Sequence, residues 1–363
     1  MHKSAAILIA ATATLGVTSL ASAQQRLPRE CRQEIRQLCG SDRSQMRECM
    51  REKASELSET CRSELRERMQ ERRGGERAVQ GASTGANRAP FTGQEIAYGT
   101  APLQKLDFWR AEQAKAPLVI FVHGGGWKRG DKSMMRGSDK LSHWQSQGYA
   151  VASVNYRLVP DSTVEQQAED VAASVAYFHA NASSLGIDPD RIVLVGHSAG
   201  AHLVAFVGTD PQWLEGAGLR IGDVAGIVAL DGAGYHAPSQ MDRNERLMGN
   251  TYEQAFGTDP ARQLALSPTH HTAAPNAPAF LILHVDRDDA KEQSEALAAG
   301  LQAAGTRADL HRVPGRGLVG HAEINRDLGK PDYPATPLVD AFLARVVGLA
   351  GEVQPKSESA VSM

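Results

Sequence analysis

Residues 192–202 read IVLVGHSAGAH. Four apolar residues run straight into Gly196, and a single serine stands between two glycines before the helix-like stretch AGAHLVAFVG begins. Gly196-His197-Ser198-Ala199-Gly200 therefore fits G-x-S-x-G at a strand-to-helix turn. Such a turn is so sharp that a side chain at 196 or 200 would clash. Glycine removes the clash and the serine hydroxyl is pushed out above the edge of the sheet. A hydroxyl presented in this way is a candidate nucleophile, provided that a base takes its proton and donors hold the developing oxyanion.

Working outward, PLVIFVHGGGW, YAVASVNYRL, VAGIVALDG, AFLILHV and ADLHRVPG read as further strands. Between them lie helical stretches. VEQQAEDVAASVAYFHANA, for example, places Val164, Ala168, Val171 and Val175 at helical spacing. Apolar strands alternating with amphipathic helices predict an α/β fold, a mostly parallel sheet covered on both faces, with its ligand site beyond the carboxyl ends of the strands. His123-Gly124-Gly125-Gly126-Trp127 falls at one such end. Its bare glycines let backbone N–H groups turn toward a ligand, so the N–H groups of Gly125, Gly126 and Ala199 form a candidate oxyanion hole. In this chain order the acid follows the serine and the base comes last. AFLILHVDRDD supplies Asp286, Asp288 and Asp289. His311 and His321 are the histidines that follow it. His311 lies inside a strand, whereas His321 follows the glycine-containing loop GRGLVG, so His321 is the favoured base. His197 and His202 precede the acid and read as first-turn helix residues near the pocket. His270-His271 has no partner set for a metal.

These stretches resemble the α/β-hydrolase fold. More narrowly, YGTAP, VIFVHGGGWKRGDK, GYAVASVNYRL, QQAEDVAASVAYF, GIDPDRIVLVGHSAGAHL, ILHVDRDD and GHAEINRDLG resemble the esterase group related to hormone-sensitive lipase, carboxylesterases and kynurenine formamidase. The resemblance implies Ser198 as nucleophile, Asp288 as acid, His321 as base and Gly125, Gly126 and Ala199 as the oxyanion hole, with no cofactor and no metal. Val285 stands where that group has glycine, and Asp286 is the alternative acid. The implied reaction is hydrolysis of small carboxylic esters through an acyl-enzyme. The alternatives are an arylformamidase and a hydrolase-fold binding module without catalysis. Tyr235, Met241, Met248, Tyr252 and Phe256, in the long segment after Asp231, are candidates for the pocket lining, with Trp127 at its border.

The remainder of the chain carries a different kind of information. MHKSAAILIAATATLGVTSLASAQQ has a basic start, an apolar stretch and Ala21-Ser22-Ala23, the pattern of a secretory signal cut after residue 23. No later segment is long and apolar enough to span a bilayer. A net charge of −3 gives no reason to expect a nucleic-acid partner. All four cysteines, Cys31, Cys39, Cys49 and Cys61, lie in one Glu- and Arg-rich window whose single break is CGSD. In an exported chain this predicts a helical hairpin with two disulfides. Of three possible connectivities the hairpin favours Cys39–Cys49 near the turn and Cys31–Cys61 outside it. The window resembles a cysteine-rich repeat of the Golgi-glycoprotein type and is a candidate docking element for a partner of unknown kind. The expected organisation is a signal peptide over 1–23, the hairpin over 24–72, a Gly/Ser/Ala-rich linker over 73–89, the catalytic domain over 90–350 and a disordered tail over 351–363.

Overall fold

The computed structural model describes residues 29–39, 49, 53, 56–63, 92–244 and 250–348. The expected signal peptide, linker and tail, and Met248, lie outside the described residues. The chain divides into two units, residues 1–88 and 89–363.

In the first unit, a helix spans Arg29–Cys39 and residues 59–63 are helical again. Disulfides join Cys31 to Cys61 and Cys39 to Cys49, with Cα atoms 5.3 and 5.7 Å apart, the outer and inner bridges expected of a hairpin. Among the described residues its interior holds Cys31, Leu57 and Cys61, with Ile35 and Leu38 packed against them. Such a core needs covalent staples. The Ser58 N–H and Oγ–H both donate to the Glu34 carboxylate, at 2.5 and 2.7 Å.

The second unit is built on an eight-stranded sheet in the order β1-β2-β4-β3-β5-β6-β7-β8. The strands are β1 Gln94–Ala97, β2 Lys105–Trp109, β3 Ala116–Val122, β4 Ala150–Val154, β5 Ile187–His197, β6 Gly226–Leu230, β7 Ala279–Asp286 and β8 Arg307–Arg316. β1 and β2 are antiparallel, and every pair from β4 to β8 is parallel. The reason for two covered faces is visible in β3, which is buried throughout. Leu118, Ile120 and Val122 face one apolar core with helices Val164–Ala180 and Ala199–Thr209, while Val119 and Phe121 face a second core with Trp144, Val339 and Phe342. Alternate residues of one strand thus serve opposite cores, which is why the strand reads as a continuous apolar run. A capping box of Thr163 and Gln166 starts the helix Val164–Ala180.

Chain order reverses direction in the sheet at β3. β4 lies on one side of it and β5 on the other, so the carboxyl ends of β3, β5, β6, β7 and β8 open onto a common crevice.

Candidate active site

The turn after β5 has the shape that its glycines require. A Cβ on Gly196 would sit 2.2 Å from the carbonyl oxygen of Gly200, and one on Gly200 would sit 2.1 Å from that of Val122. Ser198 takes φ 57° and ψ −119°, a left-handed conformation that L residues avoid unless the surroundings impose it. Its N–H donates to Leu230 O at 3.0 Å, tying the turn to the end of the neighbouring strand β6. The hydroxyl is thereby held at the mouth of the helix Ala199–Thr209.

The Ser198 hydroxyl donates to His321 Nε2 at 3.0 Å. On the other side of the ring, the His321 Nδ1–H donates to a carboxylate at 2.6 Å, and that carboxylate belongs to Asp231. The expectation that Asp288 fills this place is corrected. Asp288 opens the helix Asp288–Ala303, is exposed, and lies on the rim of the crevice, where a first-turn carboxylate complements the helix N-terminus. Asp286, the alternative, ends β7 and pairs with Arg316 at 3.1 Å on the surface. Asp231 follows β6, the strand between those carrying the serine and the Asp288 loop, and is fully buried. Its Oδ1 accepts the Val285 N–H at 2.9 Å and its own N–H donates to Leu283 O at 2.7 Å. Burial favours the neutral acid. The His321 hydrogen bond, the Arg287 charge and the Val285 N–H outweigh it and hold the carboxyl below its ordinary value. A signal for Asp231 was present in the sequence, since VAGIVALDG is an apolar run that ends on an aspartate followed by glycine. It has the same form as the two glycine-flanked strand ends already singled out.

Gly125 and Gly126 line the crevice beside Ser198, with φ of 134° and 63°. Ala199 is the first residue of its helix, so its N–H has no partner within the helix. The glycine loop is held from behind. Tyr156 donates to His123 O at 2.9 Å, and Trp127 O accepts from Gln167 Nε2 at 2.7 Å and from the Val159 N–H at 3.1 Å. Trp127 is buried, its Nε1–H donating to His202 Nδ1 at 3.3 Å, with its ring against Tyr252 and Phe256. Of the aromatic and methionine candidates, Tyr252 lines the crevice, Tyr235 and Phe256 are core residues, and Met241 packs against the core.

His197, His202 and His271 have structural partners. His197 donates from Nε2 to the backbone carbonyl of His321 at 2.8 Å, and burial, reinforced by His321 alongside, pushes its imidazole down to about 3. Burial likewise pushes His202 down to about 4, and its Nε2–H donates to Leu266 O at 2.9 Å. His311 is exposed on the edge strand β8. His271 meets Ala265 O at 2.7 Å, and no cluster of metal-ligating side chains occurs among the described residues. The crevice itself has a volume of ≈ 880 Å³, and its lining includes the exposed side chains of Met134 and Leu318.

A mostly parallel eight-stranded sheet with helices on both faces, a serine on a strained turn after its fifth strand and a histidine beyond its last define an α/β-hydrolase. Within that class the chain belongs to the BD-FAE family, whose model matches residues 106–301, more than half of the chain. It is similar to esterase LipC of Mycobacterium tuberculosis, 30% identical over 62% of this chain and 59% of that protein. Isoprenylcysteine alpha-carbonyl methylesterase ICME of Arabidopsis thaliana is 28% identical over 61% of this chain and 55% of that protein. The chain thus spans less than two thirds of the length of these curated relatives. Among solved structures, esterase B from Lactobacillus rhamnosis superposes with a TM-score of 0.61 at 24% identity, over 78% of this chain and 93% of that one. The butyrate-bound Est2 esterase of Thermogutta terrifontis gives 0.58 at 22% identity, over 72% and 98%.

Proposed function

We propose that the protein is a serine hydrolase of small carboxylic esters, acting through an acyl-enzyme. The observation that carries this reading is the unbroken relay from Ser198 Oγ to His321 Nε2 at 3.0 Å and from His321 Nδ1 to Asp231 Oδ2 at 2.6 Å. His321 takes the proton of Ser198 as its oxygen attacks the carbonyl carbon. The N–H groups of Gly125, Gly126 and Ala199 receive the oxyanion, in an environment where fixed donors act more strongly than water. His321 then protonates the leaving alcohol, and a water molecule releases the acyl group by the same steps in reverse. Asp231 keeps the proton of the neutral ring on Nδ1, so that Nε2 is free to accept, and offsets the charge of the imidazolium. The names of the similar proteins, esterases and a methylesterase, support ester hydrolysis over the alternatives. The paired cysteines and the N-terminal signal pattern support export into an oxidising compartment.

The test is a panel of p-nitrophenyl esters of increasing acyl length run beside N-formylkynurenine, with Ser198→Ala as control. The expected result is ester turnover that falls by about four to six orders of magnitude in Ser198→Ala, with the fold retained. A fluorophosphonate should label the unaltered chain and leave the variant unlabelled. Faster turnover of the formamide would replace the ester reading with the arylformamidase one. A folded Ser198→Ala protein retaining a tenth of the activity would overturn both.

A further inference from the structure

The loop at which the family resemblance places the acid contributes a cation instead. Arg287 is the residue before the helix Asp288–Ala303, in extended conformation with φ −136° and ψ 127°. Its N–H is tied to Val285 O at 2.8 Å and its carbonyl to the Lys291 N–H at 2.9 Å. With the backbone fixed at both ends, the side chain turns inward to the crevice wall and remains only 11% exposed. An arginine so placed is kept only where carboxylates compensate its charge.

Two do so. Arg287 Nη1 lies 3.4 Å from Asp231 Oδ2, and Nε lies 3.4 Å from Asp289 Oδ1. Both separations exceed the 2.7–2.9 Å typical of a charge-assisted hydrogen bond, and neither Nε nor Nη2 has a hydrogen-bond partner. The guanidinium therefore acts on Asp231 by its charge and position. The oxygen it faces is the one that accepts from His321 Nδ1. On the far side, Asp289 accepts from Gln240 Nε2 at 3.3 Å, and Gln240 Oε1 accepts from Gln293 Nε2 at 2.6 Å. Both glutamines are buried, so the row Gln293, Gln240, Asp289, Arg287, Asp231, His321, Ser198 runs from the protein interior to the nucleophile.

We infer that Arg287 is a positioning residue of this site, a fixed cation that keeps Asp231 an ionised and correctly oriented acceptor for His321. The inference rests on the reading of Asp231 as the triad acid. A carboxylate without this cation, fully buried, would tend toward the neutral acid, and a neutral acid neither orients the imidazole nor offsets its charge. Other charged and titratable groups stand around the site. Asp288 and Asp289 stand on the Arg287 loop, His197 comes from β5, Arg129 from the loop after β3, and Glu323 from the helix of His321 itself. Lys140, from the helix Asp139–Ser146, acts on His197 from behind. Asp327 and Arg326, which pair with each other at 2.6 Å, close the same helix.

The experiment compares Arg287→Met, Arg287→Gln and Arg287→Lys in the full chain, on p-nitrophenyl acetate across pH. Arg287→Gln keeps part of the stem and an amide donor group, and covers the case in which the methionine variant does not fold. The neutral variants should lose about ten- to a hundredfold in kcat, with KM changed by less than about threefold. Arg287→Lys, which keeps the charge, should restore kcat. Neutral variants with the original kcat would overturn the inference, as would a lysine variant that behaves like them. A loss confined to KM would overturn it too, by making Arg287 a substrate-binding group. An Asp231→Asn control separates the two levels. If that variant keeps its activity, the triad reading has failed; if it is dead while the Arg287 variants are unaffected, only the present inference has.

Discussion

Replacing Asp231 by asparagine preserves shape and removes charge, and the structure allows its effect to be worked out. Asp231 Oδ1 is committed to the Val285 N–H at 2.9 Å. In Asp231→Asn the amide oxygen keeps that bond, so the amide NH2 falls where Oδ2 now lies, 2.6 Å from His321 Nδ1. A donor there turns Nδ1 into an acceptor and moves the ring proton to Nε2, which faces Ser198 at 3.0 Å. A protonated Nε2 cannot take the proton of the serine. The charge that offset the imidazolium is lost as well. Together these should lower kcat by about ten-thousandfold, some 5 kcal/mol of transition-state free energy. Stability should fall by about 1–3 kcal/mol, because Arg287 loses one of its two compensating carboxylates inside the protein. Asp288→Asn and Asp286→Asn change surface groups and should remain within about threefold of the parent activity. The assay is single-ester kinetics near neutral pH on all three variants, with circular dichroism to verify folding. A folded Asp231→Asn protein with a tenth of the parent rate, or a dead Asp288→Asn protein, would refute the reasoning.

Three further outcomes are expected. Gly200→Ala should lower Tm by about 10 °C or more and abolish turnover, because its Cβ would stand 2.1 Å from a backbone oxygen of β3, whereas Gly222→Ala, which has open space around it, should be near neutral in both assays. Alkylation of the denatured, unreduced protein should find no reactive thiol, and reduction should release four. A chain lacking residues 24–80 should hydrolyse small esters at close to the parent rate, and loss of activity in a folded truncation would give the disulfide-bonded unit a part in the site.

The elements that the sequence alone determined are those whose chemistry is local. A strand covered on both faces needs an unbroken apolar run. The turn that presents Ser198 needs glycine at 196 and 200 because those two residues collide with each other and with β3. The cysteine spacing within a single hairpin leaves few ways to pair. The meeting of His321 with Ser198 was legible from chain order, since the loop before it is rich in glycine and His311 lies within a strand. The carboxylate that accepts from His321 could not be singled out, because four aspartates stand at strand ends with similar neighbours: Asp231 after β6, and Asp286, Asp288 and Asp289 around the end of β7. Which of them meets the imidazole depends on where His321 comes to rest after β8 crosses to the edge of the sheet, a question of distance through space between residues 90 positions apart. The direction of the Arg287 side chain was hidden for the same reason. An arginine between aspartates reads as a surface residue until the fold brings a buried carboxylate from another strand within reach. Local sterics can be written in a few consecutive residues, whereas the pairing of charges is decided by the low-dielectric space that only the assembled sheet encloses.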